Sequence, residues 1–484
     1  MKSRVVMAIV LCTLSASCYE RDTELRGGWV RTVEPRLSGV KWSDPRRLQR
    51  RYRQRGPCDT VVDTKEKAVH VLSYDLRCVD EAITRLEGLE QWSDLAAAYF
   101  IRARADAQQL DYLLALETAD RAVRETPLNP AAQFNRGLIQ ETVGLYELAM
   151  LSYASLRSGD SEWAKEAIRR HDALRDKLAP NPLVPQLEEA LQRGDAAAVR
   201  KIIEPFPVLA HEHLDNVVRP RGNPAQTRML ASALAERYGD QSFLEAPELA
   251  EEIRVTRDLA TIDAYEKRAA HYPFLRARCA WLRGYVLGSR NDFLPALKWY
   301  ESAEKQFRAL GDAESIGAAR FRHAGVLTKI GQPERAWQEL LEVDQAILNP
   351  YHRQGYVGEI AAVVHDLRHP AVAVQYRQLV VQRVRNEIRA AGPGQEGVLV
   401  TLRGRLGMAL RSLAEAEIEV GLFSRATVHL DDAMRYGEKE APGVQRFLDA
   451  RMAEVNGKRL REVSPQLAPT QFTRAIELTK PNER

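Results

Sequence analysis

Cysteine is scarce in this chain. Five in 484 residues, at positions 12, 18, 58, 78 and 279, cannot staple a disulfide-built fold. Charge of one sign is also lacking. Lys+Arg 70 against Asp+Glu 66 leaves +4, so the whole chain carries no nucleic-acid footprint. Gly 28 and Pro 23 are ordinary counts, which excludes a collagen-like chain or an extended linker. Beyond residue 14 no stretch is long and apolar enough to span a bilayer, which takes about 20 residues. Phosphate-cradling Gly-x-x-x-x-Gly-Lys-Ser/Thr and nucleophile-elbow Gly-x-Ser-x-Gly patterns are absent. The close histidine pair His211-Glu-His213 has a spacing of two, whereas helical metal sites place histidines four apart. Cys279 lies on an apolar helical face, Leu275 to Trp281, with no histidine nominated to activate it, and is expected to be a core thiol. No catalytic residue, metal, cofactor or small-molecule substrate is therefore expected.

What is present begins with an export signal over residues 1–18. Lys2 and Arg4 form a positive start, and Val5–Leu14 is a short apolar run. Ser15, Ala16 and Ser17 then precede Cys18, and this order resembles a bacterial lipobox, with Ser15 where that pattern prefers Leu. The resemblance implies a lipidated Cys18, a membrane-anchored protein and a location facing the periplasm or the cell exterior. In such an oxidising compartment Cys58 and Cys78 can pair and leave Cys279 single. Three free thiols is the plainer reading, and spacing does not choose between them. Residues 19–60 form a basic, breaker-rich linker. Over 20–60, eleven Lys/Arg oppose six acids, densest from Arg46 to Arg55, with Trp29, Trp42 and Tyr52 interleaved. A solvated linker and a contact with anionic lipid or an acidic partner both fit this composition.

From residue 61 onward the pattern is helical. Apolar residues recur at three and four, with breakers between segments and no sustained alternation of strand type. A repeat emerges in the second helix of successive pairs, where small or apolar residues stand at offsets 0, +4 and +7. The copies are Ala115, Ala119, Ala122; Ala149, Tyr153, Leu156; Ala296, Tyr300, Ala303; Ala336, Leu340, Val343; and Ala426, Leu430, Ala433. Such a face lets a neighbouring helix approach closely. Weaker copies start at Ala82 and Ala373.

These residues resemble the tetratricopeptide repeat. Trp92, Leu95, Tyr99, Ala115, Ala122 and Pro127 stand where that motif wants Trp, Leu, Tyr, Ala, Ala and Pro, and the step from Ala115 to Ala149 equals the family period of 34. The resemblance implies an all-α solenoid of helical hairpins. Two arrays, 61–180 and 271–478, are joined by a divergent helical segment, 181–270. An extended turn is expected between Tyr99 and Ala115, and an inserted loop at Gly392-Pro393-Gly394.

Val33-Glu-Pro-Arg36-Leu-Ser-Gly39, the run Trp92–Tyr99 and Ala132-Gln-Phe-Asn-Arg-Gly137 together resemble the amino-terminal repeat region of bacterial proteins that lead into a caspase-like CHAT domain. That family places its His/Cys dyad in an α/β domain after the repeats. No such domain is expected here, so no catalytic residue carries over. The resemblance implies a scaffold, or a regulatory or orphaned half of a CHAT-type peptidase system. A structural lipoprotein of an envelope assembly complex is a further alternative.

In stacked hairpins the first helices line a concave face that binds a peptide or a partner protein. Trp281, Tyr285 and Phe321, with Arg278, Arg283 and Arg320, are expected to form an aromatic, basic groove there. A nucleic-acid role is not expected.

Overall fold

The computed structural model describes Cys58 and most of residues 61–479. Residues 1–57, 59–60, 69–77, 157–161, 180–181, 206–209, 211–213, 215–222, 246–251, 392–395, 438–449, 480–484 and a few isolated positions lie outside that description. The export signal with Cys18, the arginines from Arg46 to Arg55, His211, His213 and Gly392-Pro393-Gly394 thus fall outside the described residues. Regular structure is helical throughout, with no strand among the described residues, and no described helix is long and apolar enough to cross a membrane. Contacts divide the chain into two compact units, Met1–Lys177 and Leu178–Arg484.

The first unit contains α1 (Val79–Gly88), α2 (Trp92–Asp106), α3 (Asp111–Glu125), α4 (Pro130–Thr142), α5 (Tyr146–Ala154) and α6 (Glu162–Leu178). α2 packs on α3 and α4 on α5, and the first helices α2 and α4 also touch. The small residues of the repeat explain this closeness, because Ala115, Ala119, Ala122 and Ala149 are all buried. Pro127 follows the end of α3. Asn129 Oδ1 then accepts from the amides of Ala131 and Ala132 at 2.8 and 3.2 Å, starting α4 with Pro130 in its first turn. Arg102 on α2 ties three helices together. Its guanidinium donates twice to buried Asp111, at 2.6 and 2.9 Å, and once to Asp80 at 2.9 Å.

The second unit opens with α7 (Leu183–Arg193), α8 (Ala196–Ile203), α9 (Pro224–Tyr238) and α10 (Leu259–Arg268). Four hairpins follow: α11 (Pro273–Ser289) with α12 (Phe293–Leu310), α13 (Ala313–Lys329) with α14 (Pro333–Leu341), α15 (Pro350–Asp366) with α16 (Pro370–Ala390), and α17 (Glu396–Glu419) with α18 (Phe423–Gly437). α19 (Ala468–Thr479) is the last described helix. α13 packs on both α11 and α15, so first helices stack on first helices, as in a one-dimensional repeat. The segment 181–270 shares its core with the first hairpin. Leu187, Val199, Leu230, Phe243 and Ile262 pack in one cluster with Leu275, Cys279 and Val286 of α11.

One turn recurs inside these hairpins. α4–α5, α11–α12, α13–α14, α15–α16 and α17–α18 are each joined by three residues. The middle residue is left-handed every time: Gly144, Asn291, Gly331, Arg368 and Gly421. At Gly331 the amides of Gly331 and Gln332 donate to Thr328 and Leu327, both at 3.0 Å, which satisfies the last carbonyls of α13. Glycine, and to a lesser degree asparagine, adopts this conformation without strain. Arg368 does not, with φ 67°. Arg368→Gly is therefore expected to stabilise the second unit by about 0.5–1 kcal/mol, read from the urea midpoint. An unchanged or lowered midpoint would show that the Arg368 side chain contributes more than the strain removes.

One expectation about repeat length needs correction. The α2–α3 turn spans only residues 107–110, and the extra length lies in α2, which has 15 residues. Over the wide step from Ala373 to Ala426, α16 has 21 residues and α17 has 24, and the loop expected at Gly392-Pro393-Gly394 lies outside the described residues. Lengthening a packed helix buries more side chains, whereas a longer loop adds only closure entropy.

Two glycines let a second helix's tyrosine approach closely. A Cβ on Gly284 would lie 2.9 Å from the Tyr300 ring, and one on Gly137 would lie 2.7 Å from the Tyr153 ring. Both tyrosines are fully or nearly fully buried and have no room to retreat. Gly284→Ala is expected to destabilise the second unit by about 1–3 kcal/mol, read by thermal unfolding. A variant as stable as the parent would mean that the helices slide apart at no cost.

Candidate functional site

α11 places Arg278, Trp281 and Tyr285 at i, i+3 and i+7, which is one helical face. The Trp281 and Tyr285 rings lie parallel, 6.0 Å apart with an interplanar angle of 1°. The Arg278 guanidinium sits 4.8 Å from the Trp281 ring centre. All three side chains are partly buried, so each still meets solvent. Trp281 also packs edge-on against Tyr300 and touches core residues of α12 and α13.

The other three expected groove residues are not on this face. Phe321 is 0% exposed. Its ring lies against α15, where a Cβ on Gly355 would come within 3.3 Å, and packs edge-on to His352 at 5.9 Å. It is core. Arg283 turns towards α10 and pairs with Asp263 and Glu266, each at 2.5 Å. Arg320 donates to Glu304 at 2.8 Å and to Glu342 at 2.9 Å. These two arginines hold the chain's own carboxylates and not a partner's. Helical geometry gives the reason, because Arg283 stands about 200° round the helix from Trp281, at 100° per residue.

The structure adds two residues that sequence reasoning missed. Arg322 on α13 pairs with Glu359 on α15 at 3.3 Å. Both, with Tyr285, lie close enough to the Tyr300 hydroxyl to bear on its ionisation, and burial is what chiefly raises that hydroxyl's pKa. Burial also raises the Glu359 carboxyl above the usual range, opposed by Arg322 and Lys329. Glu359 lies directly over Gly325, where a Cβ would meet its Oε2 at 2.6 Å. The absence of a side chain at Gly325 was the only sequence signal for this contact.

Cys279 is buried, and burial pushes its thiol up to about 12. In a Cys12→Ser, Cys18→Ser background the folded protein is therefore expected to react with a chromogenic disulfide reagent only on unfolding. Rapid release of one equivalent from folded protein would contradict that. Cys58 and Cys78 are joined by a disulfide with Cα atoms 5.1 Å apart. Glu81 lies beside the two sulfurs, but bonded sulfurs are poor metal ligands.

The first helices of the second unit stack on one another, each backed by a small-residue second helix. The fold is of the tetratricopeptide type. No protein-family model and no curated protein matches the chain. Among solved structures it is similar to one titled "Crystal structure of APC/C hetero-tetramer Cut9-Hcn1", at 11% identity and a TM-score of 0.32, covering 87% of this chain and 88% of that one. It is also similar to one titled "Crystal Structure of P58(IPK) TPR Domain at 2.5 A", at 14% identity and a TM-score of 0.24, covering 87% of this chain and 99% of that one.

Proposed function

We propose that this chain is a non-catalytic scaffold, and that the first-helix face of its second unit holds an extended segment of a partner protein. The observation that carries this is the parallel, stacked and partly exposed Trp281–Tyr285 pair on α11. Two parallel rings offer a flat apolar surface at little entropic cost, because aromatic side chains have few torsions to fix. An apolar side chain of the partner lies on the rings, and the Arg322–Glu359 pair beside them contacts the partner backbone.

Trp281→Ala is a poor test, since that side chain is also core. A photo-crosslinking residue at Tyr285 is the better probe, with the same residue at Leu294 on α12 as control. Leu294 is 66% exposed and belongs to a second helix. One dominant product from position 285 and none from 294 is expected, with loss of capture in the untagged competitor when it carries Tyr285→Ala. Equal labelling from both positions would sink the proposal.

The same proposal places the chain outside the cytoplasm, anchored through a lipidated Cys18. The support is the charged start, the short apolar run and the small residues before Cys18. Cys18→Ser should move the protein from the membrane fraction to the soluble fraction. A wild-type protein already soluble in the cytoplasm would exclude the anchor.

The likeness of residues 33–170 to repeat regions of CHAT-domain proteins favours a second reading, regulation of a separate cysteine peptidase. Recovery of a His/Cys α/β protein as the crosslinked partner would select it.

A further inference from the structure

Helix α16 carries four arginines, Arg377, Arg383, Arg385 and Arg389, against one acid, Glu387. Two of the four are turned inward. Arg377 donates to the carbonyl of Ser412, and Arg383 donates to the carbonyl of Arg353 at 3.1 Å. The other two belong to a different face. Gln378, Gln382, Arg385 and Arg389 follow the i, i+4, i+7, i+11 spacing of one helical stripe. With Arg425 and His429 of α18 they line a cavity of about 210 Å³.

Among the described residues no acidic side chain lines this cavity. Its basic groups are held from behind by Glu417 of α17, which is fully buried. The Glu417 carboxylate pairs with His429 Nδ1 at 2.7 Å and with Arg425 Nη2 at 3.0 Å. A buried carboxylate must be paired, and here the pairing fixes a guanidinium and an imidazole at the cavity edge. Arg385 has only a long contact to Asp432, at 3.5 Å. Arg389 donates to Asn386 at 3.1 Å and meets no carboxylate among the described residues. Three guanidinium groups, an imidazole and two amides thus converge on a space large enough for a side-chain carboxylate.

We propose that this cavity binds the carboxylates of an acidic segment in a partner polypeptide. The proposal rests on the reading of the chain as a protein-binding scaffold but uses a surface separate from the Trp281–Tyr285 face. Guanidinium groups match carboxylates in planar, two-point geometry, and a charge-assisted pair contributes more than a neutral one.

The test uses the full chain and a fluorescein-labelled hexaglutamate peptide, read by fluorescence anisotropy at low salt. Saturable binding is expected. The double variant Arg385→Gln, Arg389→Gln should weaken it roughly tenfold or more, since two charge-assisted contacts to carboxylate are lost. Both side chains are surface-accessible, so helicity should be unchanged. Arg385→Lys with Arg389→Lys should retain part of the binding. Tyr285→Ala should bind the peptide as the parent does, which separates this site from the proposed groove. Equal binding by the glutamine variant would overturn the proposal. So would binding of inorganic phosphate, lost in that variant, when hexaglutamate does not bind.

Discussion

Phe321→Ala is expected to lower the stability of the second unit by about 3–5 kcal/mol, the usual cost of emptying a fully buried aromatic site. The side chain is 0% exposed and wedged between α13 and α15, where Gly355 leaves room for its ring. Packing on both sides is helical and tight, so little collapse can refill the space. The urea midpoint is the measurement, with crosslinking at Tyr285 as the companion readout. If the midpoint stays and capture at Tyr285 disappears, Phe321 is a groove residue after all.

This variant has a pH signature as well. His352 lies edge-on to Phe321, and burial holds its imidazole below the ordinary value of 6.5. Glu314, bonded to Nδ1 at 3.1 Å, opposes that shift, while Arg278 and Arg322 add to it. As pH falls through 6.5 the unfolded chain takes up a proton that the folded chain refuses. Stability contributed by neutral His352 is thus complete above that pH and is lost on acidification. Water entering the Phe321→Ala cavity would ease protonation of His352, so the variant should lose less stability between pH 7 and pH 5 than the parent does.

Breaking the Cys58–Cys78 bond is the second large effect. The bond spans a sequence separation of 20 residues, and loops of that size stabilise a folded domain by about 3 kcal/mol when closed. Cys58→Ser, or reduction of the parent, should speed hydrogen exchange in α1 by about two orders of magnitude. α1 begins at Val79, immediately after Cys78, and carries buried Ala82, Ile83 and Leu86 into the first unit. Reductant should have no further effect on Cys58→Ser. If exchange in α1 is the same with and without reductant, the bond contributes nothing to this helix. If the chain is exported as proposed, intact protein from its native compartment should have both sulfurs paired, because such bonds persist where thiols are not kept reduced.

The helical hairpins were legible because their determinants are local. Small residues at Ala115, Ala119 and Ala122 and Pro127 beyond α3 each act within a few residues of chain. The recurring offsets at Ala296, Ala336 and Ala426 likewise mark second helices, and all three side chains are fully buried. The extended turn expected between Tyr99 and Ala115 proved to be helix instead, since no residue pattern separates a longer helix from a longer loop when both are Ala- and Leu-rich. Arg368 shows the converse. Nothing about arginine announces a left-handed turn, and only alignment with Gly331 and Gly421 in space makes it evident.

The groove was legible in part. Periodicity placed Arg278, Trp281 and Tyr285 on one face of α11, and they are together. It could not place Phe321, because whether a first-helix aromatic meets solvent or the next hairpin depends on how closely that hairpin approaches. Gly355 decides that approach from a different helix. Charge followed the same rule. The sequence shows that Arg283 and Arg320 are cations, but their partners Asp263, Glu266, Glu304 and Glu342 lie on neighbouring segments that only packing brings near. The sequence by itself therefore determined the helices and their pairing, since hydrophobic period, small residues and caps act along the chain. Only the tertiary structure decided which aromatics are core, which cations are already paired and where basic groups converge on a cavity, since each of these is set by contacts between residues far apart in sequence.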